Sequence, residues 1–225
     1  MNFDSMKWFW IKLIFVVFFF INIFSCQRNS SSFYTDELPY YQDASFTPFW
    51  YFNIKDSINS FHKIPSFKLI NQLGDSISEK TFEGKVYVTD FFFTTCPGIC
   101  PMMTSNMSLI QEAFKDESRV LLLSHSVTPE YDSVPVLKDY AKEKEVLDNK
   151  WHLVTGDRKV IYDLGRKSYF VEESLGEISI ESDFLHTENF VLIDQNRHIR
   201  GIYNGLRKND INQLIKDIRT LINKQ

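Results

Sequence analysis

The sequence predicts an α/β protein with a central mixed β-sheet flanked by helices and an N-terminal strand or hairpin extension. Strands rich in β-branched and aromatic residues alternate with amphipathic helices along the chain. A hairpin followed by a helix ends this pattern, which favours a mixed sheet over a purely parallel one. The chain has 225 residues, 44% of them hydrophobic and 24% charged, and this composition suits a globular protein of one domain or at most two.

The individual elements follow from local patterns. Pro101 suits the first turn of a helix, because its missing N–H is not needed there. Asp157 and Asn209 are predicted N-caps, and the helix after Asn209 has apolar residues at i, i+3, i+4 and i+7. Strands are predicted at 67–70, 86–93, 120–124, 151–154, 190–194 and 199–203, and helices at 101–115, 134–144, 157–167 and 209–222.

The first 25 residues are predicted to be a signal peptide. An apolar run from Leu13 to Phe24 follows Lys7 and Lys12, and it is too short for a comfortable transmembrane span. Met6 is an alternative start to Met1, because Met6-Lys7 reads like a natural beginning.

The end of this run resembles a bacterial lipoprotein signal, with Ser25 directly before Cys26. The resemblance implies cleavage before Cys26 and acylation of its thiol, although Phe24 departs from the usual small residue. The alternative is an uncleaved signal anchor in which Cys26 is incidental. We expect residues 26–50 to form a flexible, lipid-anchored tether and 51–225 to form the domain. The protein would then lie in the cell envelope, anchored to the membrane on the periplasmic side.

Charge and cysteine content exclude several classes of function. A formal net charge of -4 argues against nucleic acid as a partner, since duplex binding needs a basic face. Three cysteines are too few for a disulfide-stapled scaffold or a four-cysteine zinc site.

The most informative motif is Cys96-x-x-x-Cys100, between the strand 86–93 and the helix 101–115. The positive end of the helix dipole favours thiolate, the form that attacks disulfides and binds soft metals. The alternative is a purely structural role for the two cysteines, as a disulfide or as two buried thiols. The thioredoxin redox motif has two intervening residues rather than three. A copper or zinc site would need at least one ligand more than this pair.

Five histidines are candidates for that ligand. His125 follows a predicted strand and is a weak candidate, whereas His62 and His198 are expected to be exposed. His152 is expected to pack or to face solvent. His186 lies in a loop before the strand 190–194, and spacing alone does not distinguish it from a solvated side chain.

Four motifs in this order resemble the Sco/SenC family of thioredoxin-fold copper proteins, over residues 60 to 222. They are Cys96-x-x-x-Cys100-Pro101, Val127-Thr128-Pro129-Glu130-Tyr131-Asp132, Trp151-His152-Leu153-Val154-Thr155-Gly156, and His186-Thr187 before Phe190-Val191-Leu192-Ile193-Asp194. The resemblance implies a thioredoxin-like fold and a copper ion, Cu(I) or Cu(II), bound by Cys96, Cys100 and His186. It also implies delivery of copper to the copper centre of cytochrome c oxidase subunit II. Many members carry Asp where this chain has Thr128 and Leu185.

Two other functions compete with copper delivery. One is a thiol–disulfide oxidoreductase that reduces the cysteines of the oxidase copper site, with Cys96 and Cys100 as catalytic residues. The other is a thiol peroxidase, which would need an arginine such as Arg119 or Arg166 beside the sulfur. The last proline of the chain is Pro135, so no proline precedes the strand 190–194, where thioredoxin-like exchangers usually carry one. This favours copper binding over general disulfide exchange.

The two methionines after the cysteine motif have two interpretations. Met102 and Met103 carry thioethers that bind Cu(I), but helix packing is the expected role of both.

Overall fold

The computed structural model describes residues 37–171, 185 and 187–223. Its strands are β1 (Lys68–Asn71), β2 (Ser76–Ser78), β3 (Val86–Phe92), β4 (Val120–Ser126), β5 (Trp151–Thr155), β6 (Asn189–Ile193) and β7 (Ile199–Asn204). Its helices are α1 (Tyr51–Ile54), α2 (Cys100–Ala113), α3 (Val134–Glu143), α4 (Arg158–Asp163) and α5 (Lys208–Asn223). Short helical turns occur at Ile58–Ser60, Glu79–Phe82 and Leu164–Ser168.

The described strands form one sheet in the order β2-β1-β5-β4-β3-β6-β7. β3, β4 and β5 are parallel, whereas β6, β7 and the β1–β2 hairpin pair in antiparallel fashion. A β3-α2-β4 unit next to a β6-β7-α5 unit is the thioredoxin-like arrangement. The predicted mixed sheet and the N-terminal hairpin extension are therefore confirmed.

The register of β3 with its neighbours defines the edge of the sheet from which the cysteine loop leaves, here called the functional edge. Phe92 of β3 lies opposite Ser126 of β4, so both parallel strands end at the same edge. Because β6 runs antiparallel to β3, with Thr89 opposite Val191, β6 begins at that edge. Three segments therefore meet there: the cysteine loop, the loop after β4 and the residues that lead into β6.

Hydrophobic residues cover both faces of the sheet. Val88 and Phe92 of β3 face a cluster that includes α2, α3 and α5, whereas Tyr87 and Phe91 face a second cluster that includes α4. Such two-sided burial explains why β3 and β4 are apolar runs rather than alternating ones. Phe91 and Phe92 therefore face opposite sides of the sheet.

Most element boundaries agree with the predictions, and the differences have local causes. The side chain of Asp157 accepts from the Val160 N–H (3.1 Å), which confirms it as an N-cap. Helix α4 gives way to a π-helical turn after Asp163, short of the predicted end at residue 167. Asn209 lies inside α5 rather than capping it, because the Ile211 N–H already bonds the carbonyl of Arg207.

The later part of the predicted tether lies on the domain. Tyr41 pairs with Ile199 at the edge of β7. The guanidinium of Arg200 donates to the carbonyl of Leu38 (2.5 Å) and stacks 3.7 Å from the ring centroid of Tyr40. Residues 38–41 are thus held against the domain. A flexible tether was expected to extend to residue 50, and these contacts show that residues 38–41 are not part of it.

The predicted signal peptide, residues 1–25, and Cys26 lie outside the described residues. Among the residues that are described, no helix is long and apolar enough to cross a membrane.

Candidate functional site

The cysteine pair lies where the central strand passes into a helix. β3 ends at Phe92, a loop follows, and Cys100 is the first residue of α2. The Cys96 N–H donates to the carbonyl of Phe93 (3.3 Å), which closes a tight turn before the helix. Both thiols are free, and Cys96 is partly exposed whereas Cys100 is only 5% exposed. One sulfur is thus accessible, and the other lies beneath the surface.

The surroundings make the two thiols unequal acids. Burial acts to raise the pKa of Cys96, but hydrogen bonds from the Cys100 thiol and from backbone N–H groups, including those of Gly98 and Ile99, lower it overall. Burial raises the pKa of Cys100 to about 12, and the nearby thiol of Cys96 and carboxyl of Asp90 add to this. The arrangement therefore favours the thiolate at Cys96 over the thiolate at Cys100.

A buried carboxylate joins the cysteine loop to the loop after β4. The side chain of Asp132 is fully buried and accepts from the Thr94 N–H (3.3 Å) and hydroxyl (2.6 Å). It also accepts from the hydroxyls of Ser126 (2.5 Å) and Thr128 (3.0 Å). In the sequence, Asp132 is the last residue of the motif that begins at Val127, and no role was predicted for it. The signal was present, since three hydroxyl residues near the ends of two apolar strands call for an acceptor.

A second buried carboxyl lies on β3. Asp90 accepts from the hydroxyl of Ser124, which in turn accepts from the indole N–H of Trp151 (2.8 Å). Burial raises the pKa of Asp90 to about 7. In the sequence Asp90 is only one residue of a buried strand, because the pattern gives no sign of its hydroxyl partner on β4.

His125 is deep in the core. It belongs to β4 itself, has no exposed surface, and stacks on Phe91 with 4.7 Å between ring centroids. Its Nδ1 lies 3.1 Å from the hydroxyl of Thr89, and its Nε2 has no hydrogen-bond partner among the described residues. Burial lowers the pKa of His125 to about 4. The weak candidacy of His125 as a ligand was wrong in its premise, since the strand continues past it and turns its ring into the core.

Two other histidine expectations need correction. His198 is 2% exposed, because its Nδ1 donates to the carbonyl of His62 (2.9 Å) and its ring meets the edge of Tyr40. His62 is half-buried, with its Nε2 2.8 Å from the carbonyl oxygen of Ser168. His198 is covered by Tyr40 of the N-terminal segment, and His62 by Ser168 and Phe170, contacts that a local pattern does not reveal. His152 is buried, in agreement with packing.

His186 lies outside the described residues, but the residue on each side of it is described. Leu185 is 2% exposed and lies beside Gly165 in the same buried cluster as Phe91. A Cβ added at Gly165 would lie 2.8 Å from Leu185 Cδ2 and 3.1 Å from Phe91 Cε1. The hydroxyl of Thr187 accepts from the Asn189 N–H (3.0 Å) at the start of β6. Within the described part of the chain, no three His, Cys, Asp or Glu side chains are grouped to hold a metal ion.

Three further sequence candidates are settled by their positions. Met103 is buried in the core as expected, but Met102 is 56% exposed, because the neighbouring position on α2 is rotated by about 100° around the helix axis. The side chain of Arg119 pairs with Glu117 (2.6 Å) just before β4 begins, at the edge away from the cysteines. The arrangement that a peroxidase would need is therefore not provided by Arg119.

The fold and the thiol pair define the class: a thioredoxin-like protein with a dithiol at the N-terminus of the first long helix. The SCO1/SenC family model matches residues 55–223, and the chain belongs to this family. The resemblance noted from the sequence is thus confirmed.

Solved structures of Sco-family proteins are similar to this chain in fold and sequence. A SCO1/SenC family lipoprotein from Bacillus anthracis is 31% identical, with 72% of this chain and 95% of that chain covered and a TM-score of 0.62. BsSco, a member of the Sco family of cytochrome c oxidase assembly proteins with a disulfide switch, is 27% identical, with 71% and 93% covered and a TM-score of 0.59. Arabidopsis thaliana ScoI with copper bound is 27% identical, with 72% and 98% covered and a TM-score of 0.56.

The thiol asymmetry predicts selective alkylation. Iodoacetamide at pH 7 should modify Cys96 at least ~10-fold faster than Cys100, because the thiolate reacts and only Cys96 combines exposure with a lowered pKa. Peptide mapping by mass spectrometry measures both rates and separates them from Cys26. Cys100→Ser keeps a hydroxyl donor and should leave the rate at Cys96 within a few-fold. Equal rates at the two cysteines would contradict the assignment.

His125 predicts a specific acid sensitivity. The folded protein keeps this ring neutral down to about pH 4, whereas the unfolded chain takes up a proton near the ordinary pKa of 6.5. The free energy of unfolding should therefore fall by about 3 kcal/mol from this residue as pH drops from 6.5 to 4. Urea unfolding of the wild type and of His125→Phe across this window measures the difference. A constant difference between the two proteins at all pH values would refute it.

Proposed function

We propose that this protein binds copper through Cys96, Cys100 and His186 and passes it to the copper centre of cytochrome c oxidase during assembly of that enzyme. The observation that carries the proposal is the free dithiol at the functional edge of a Sco-family domain. Copper is bound in the Arabidopsis relative, and BsSco belongs to a family of oxidase assembly proteins.

The donor chemistry suits a copper cargo. Thiolates are soft ligands, and a pair of them with an imidazole accepts both Cu(I) and Cu(II). Cys96 is already stabilised as a thiolate by N–H donors, so it is the natural first ligand. Cys100 must lose its proton on binding, because its pKa is raised to about 12. Metal binding at this pair should therefore release a proton.

Neighbouring contacts support His186 as the third ligand. Its neighbour Leu185 is buried in the same hydrophobic cluster as Phe91, the penultimate residue of the strand that leads to Cys96. Its other neighbour, Thr187, is tied to the start of β6. The residues on either side of His186 are thus held by the elements that form the functional edge.

The location and the partner are the remaining parts of the proposal. Acylation of Cys26 would hold the domain at a membrane surface on the periplasmic side, and the Bacillus anthracis relative is itself a lipoprotein. The copper site of oxidase subunit II is the proposed acceptor. Transfer would proceed by exchange of the thiolates of this protein for those of the partner.

One observation favours disulfide exchange as a second function. A lowered pKa at the exposed Cys96 and a raised one at the buried Cys100 match an attacking and a resolving thiol. The Cys96 thiolate would attack a partner disulfide, and one partner thiolate would leave. The Cys100 thiolate would then displace the other, which yields a Cys96–Cys100 disulfide and a reduced partner.

Copper loading tests the main proposal. Addition of Cu(II) to the soluble domain should produce a visible thiolate-to-copper charge-transfer band with one copper per chain. Cys96→Ser, Cys100→Ser and His186→Ala should each abolish the band or shift it and weaken copper binding by at least about tenfold, because each removes a ligand. Visible spectra and a competition titration with a chelator measure both effects.

Two matched variants act as controls for copper loading. His62→Gln removes another imidazole but keeps a donor for the Ser168 carbonyl, and Met102→Ala removes the exposed thioether. Neither should change the band. Unchanged copper stoichiometry in the triple ligand variant would overturn copper binding at this site. Rapid reduction of a disulfide substrate by the copper-free protein would instead promote the second function.

A further inference from the structure

We propose that Asp132 is a positioning residue for the thiol site, holding the cysteine loop in place through Thr94. The proposal deepens the proposed function and rests on it where copper is concerned. Asp132 does not touch either sulfur. It acts on the backbone that carries Cys96.

The carboxylate of Asp132 is bound by neutral groups. Asp132 has no exposed surface, and its hydrogen bonds come from one N–H and three hydroxyls. Arg158 of α4 pairs with Glu130 of the loop after β4. A buried carboxylate is costly unless it is fully hydrogen-bonded, so these donors and the carboxylate hold each other in one geometry.

Two of the hydrogen-bond donors to Asp132 belong to Thr94, in the cysteine loop. Thr94 donates to Asp132 with both its N–H and its hydroxyl, one to each carboxylate oxygen. This double contact fixes the direction of the chain two residues before Cys96. The N–H of Cys96 then bonds the carbonyl of Phe93. The Cys96 sulfur is thereby held close to the start of α2, whose first residue is Cys100.

The pairing of β3 with β4 does not depend on the hydrogen bonds from Thr94 to Asp132. β3 and β4 are already paired through Phe92 and Ser126, and the Val127 N–H bonds the carbonyl of Phe92 (2.9 Å). The hydrogen bonds from Thr94 begin beyond the last paired residue of β3. What they add is the position of the cysteine loop against the loop after β4, which is a requirement of the site rather than of the fold.

Substitution of Thr94 isolates the link without removing a charge. Thr94→Val deletes the hydroxyl donor and keeps the shape, whereas Thr94→Ser retains the donor. We expect Thr94→Val to lower the ratio of Cys96 to Cys100 alkylation rates about fivefold at pH 7, and Thr94→Ser to keep it near the wild-type value. Equal ratios in the wild type, Thr94→Val and Thr94→Ser would overturn the proposal.

Asp132→Asn tests the acceptor, with Asp194→Asn as its matched control. Asp194 is also a buried carboxylate, 3% exposed, and accepts from the N–H groups of Asn196 and His198 and from Arg200, at the opposite edge of the sheet. Both variants should lower the melting temperature. Only Asp132→Asn should lower the alkylation ratio, by about tenfold or more. An equal loss of the ratio in Asp194→Asn would show a merely structural role and overturn the proposal.

The thiol readout is independent of copper. If Thr94→Val and Asp132→Asn change the alkylation ratio while the wild type binds no copper, the proposed function fails and the role of Asp132 stands. With copper bound, both variants should also shift the thiolate-to-copper charge-transfer band, and Asp194→Asn should not.

Discussion

The parallel pairing of β3 with β4 is the interaction on which the rest of the site depends. It aligns Phe92 with Ser126, so two loops leave the sheet side by side at one edge. The antiparallel neighbour β6 brings its first residues to the same edge. Backbone hydrogen bonds in a ladder buried on both faces are rigid, and that rigidity gives the cysteine loop a fixed base.

On this base, opposing effects of burial and hydrogen bonding divide the two thiols. Cys96 has donors at the start of α2, and they outweigh the cost of partial burial. Cys100 is more deeply buried, and its thiol donates its hydrogen bond to Cys96. Burial and this hydrogen bond therefore both raise the pKa of Cys100. The same pair thus suits a metal cargo that replaces a proton and a disulfide that replaces two thiols. The proposed copper binding and the proposed disulfide exchange would therefore use the same two sulfur atoms.

Local patterns were sufficient for the elements and for the thiol pair. Apolar runs marked β3 and β4, and a cysteine motif between a strand and a proline marked a helix N-terminus. The patterns failed where burial depends on distant segments. His198 is buried because the N-terminal segment covers the hairpin, and Met102 is exposed because nothing described covers that side of α2. Hydroxyl residues near the ends of β3 and β4 indicate that an acceptor is needed, but the sequence does not identify Asp132 as that acceptor. Its donors come from the cysteine loop, the end of β4 and the loop after it, which only the β3–β4 register brings together.

The most direct test of copper binding by Cys96, Cys100 and His186 is X-ray absorption at the copper edge of the copper-loaded full chain. The bound copper should have two sulfur ligands and one imidazole nitrogen, with one sulfur lost in Cys96→Ser or Cys100→Ser and the imidazole lost in His186→Ala. A copper shell of nitrogen and oxygen alone, unchanged in these variants, would contradict it.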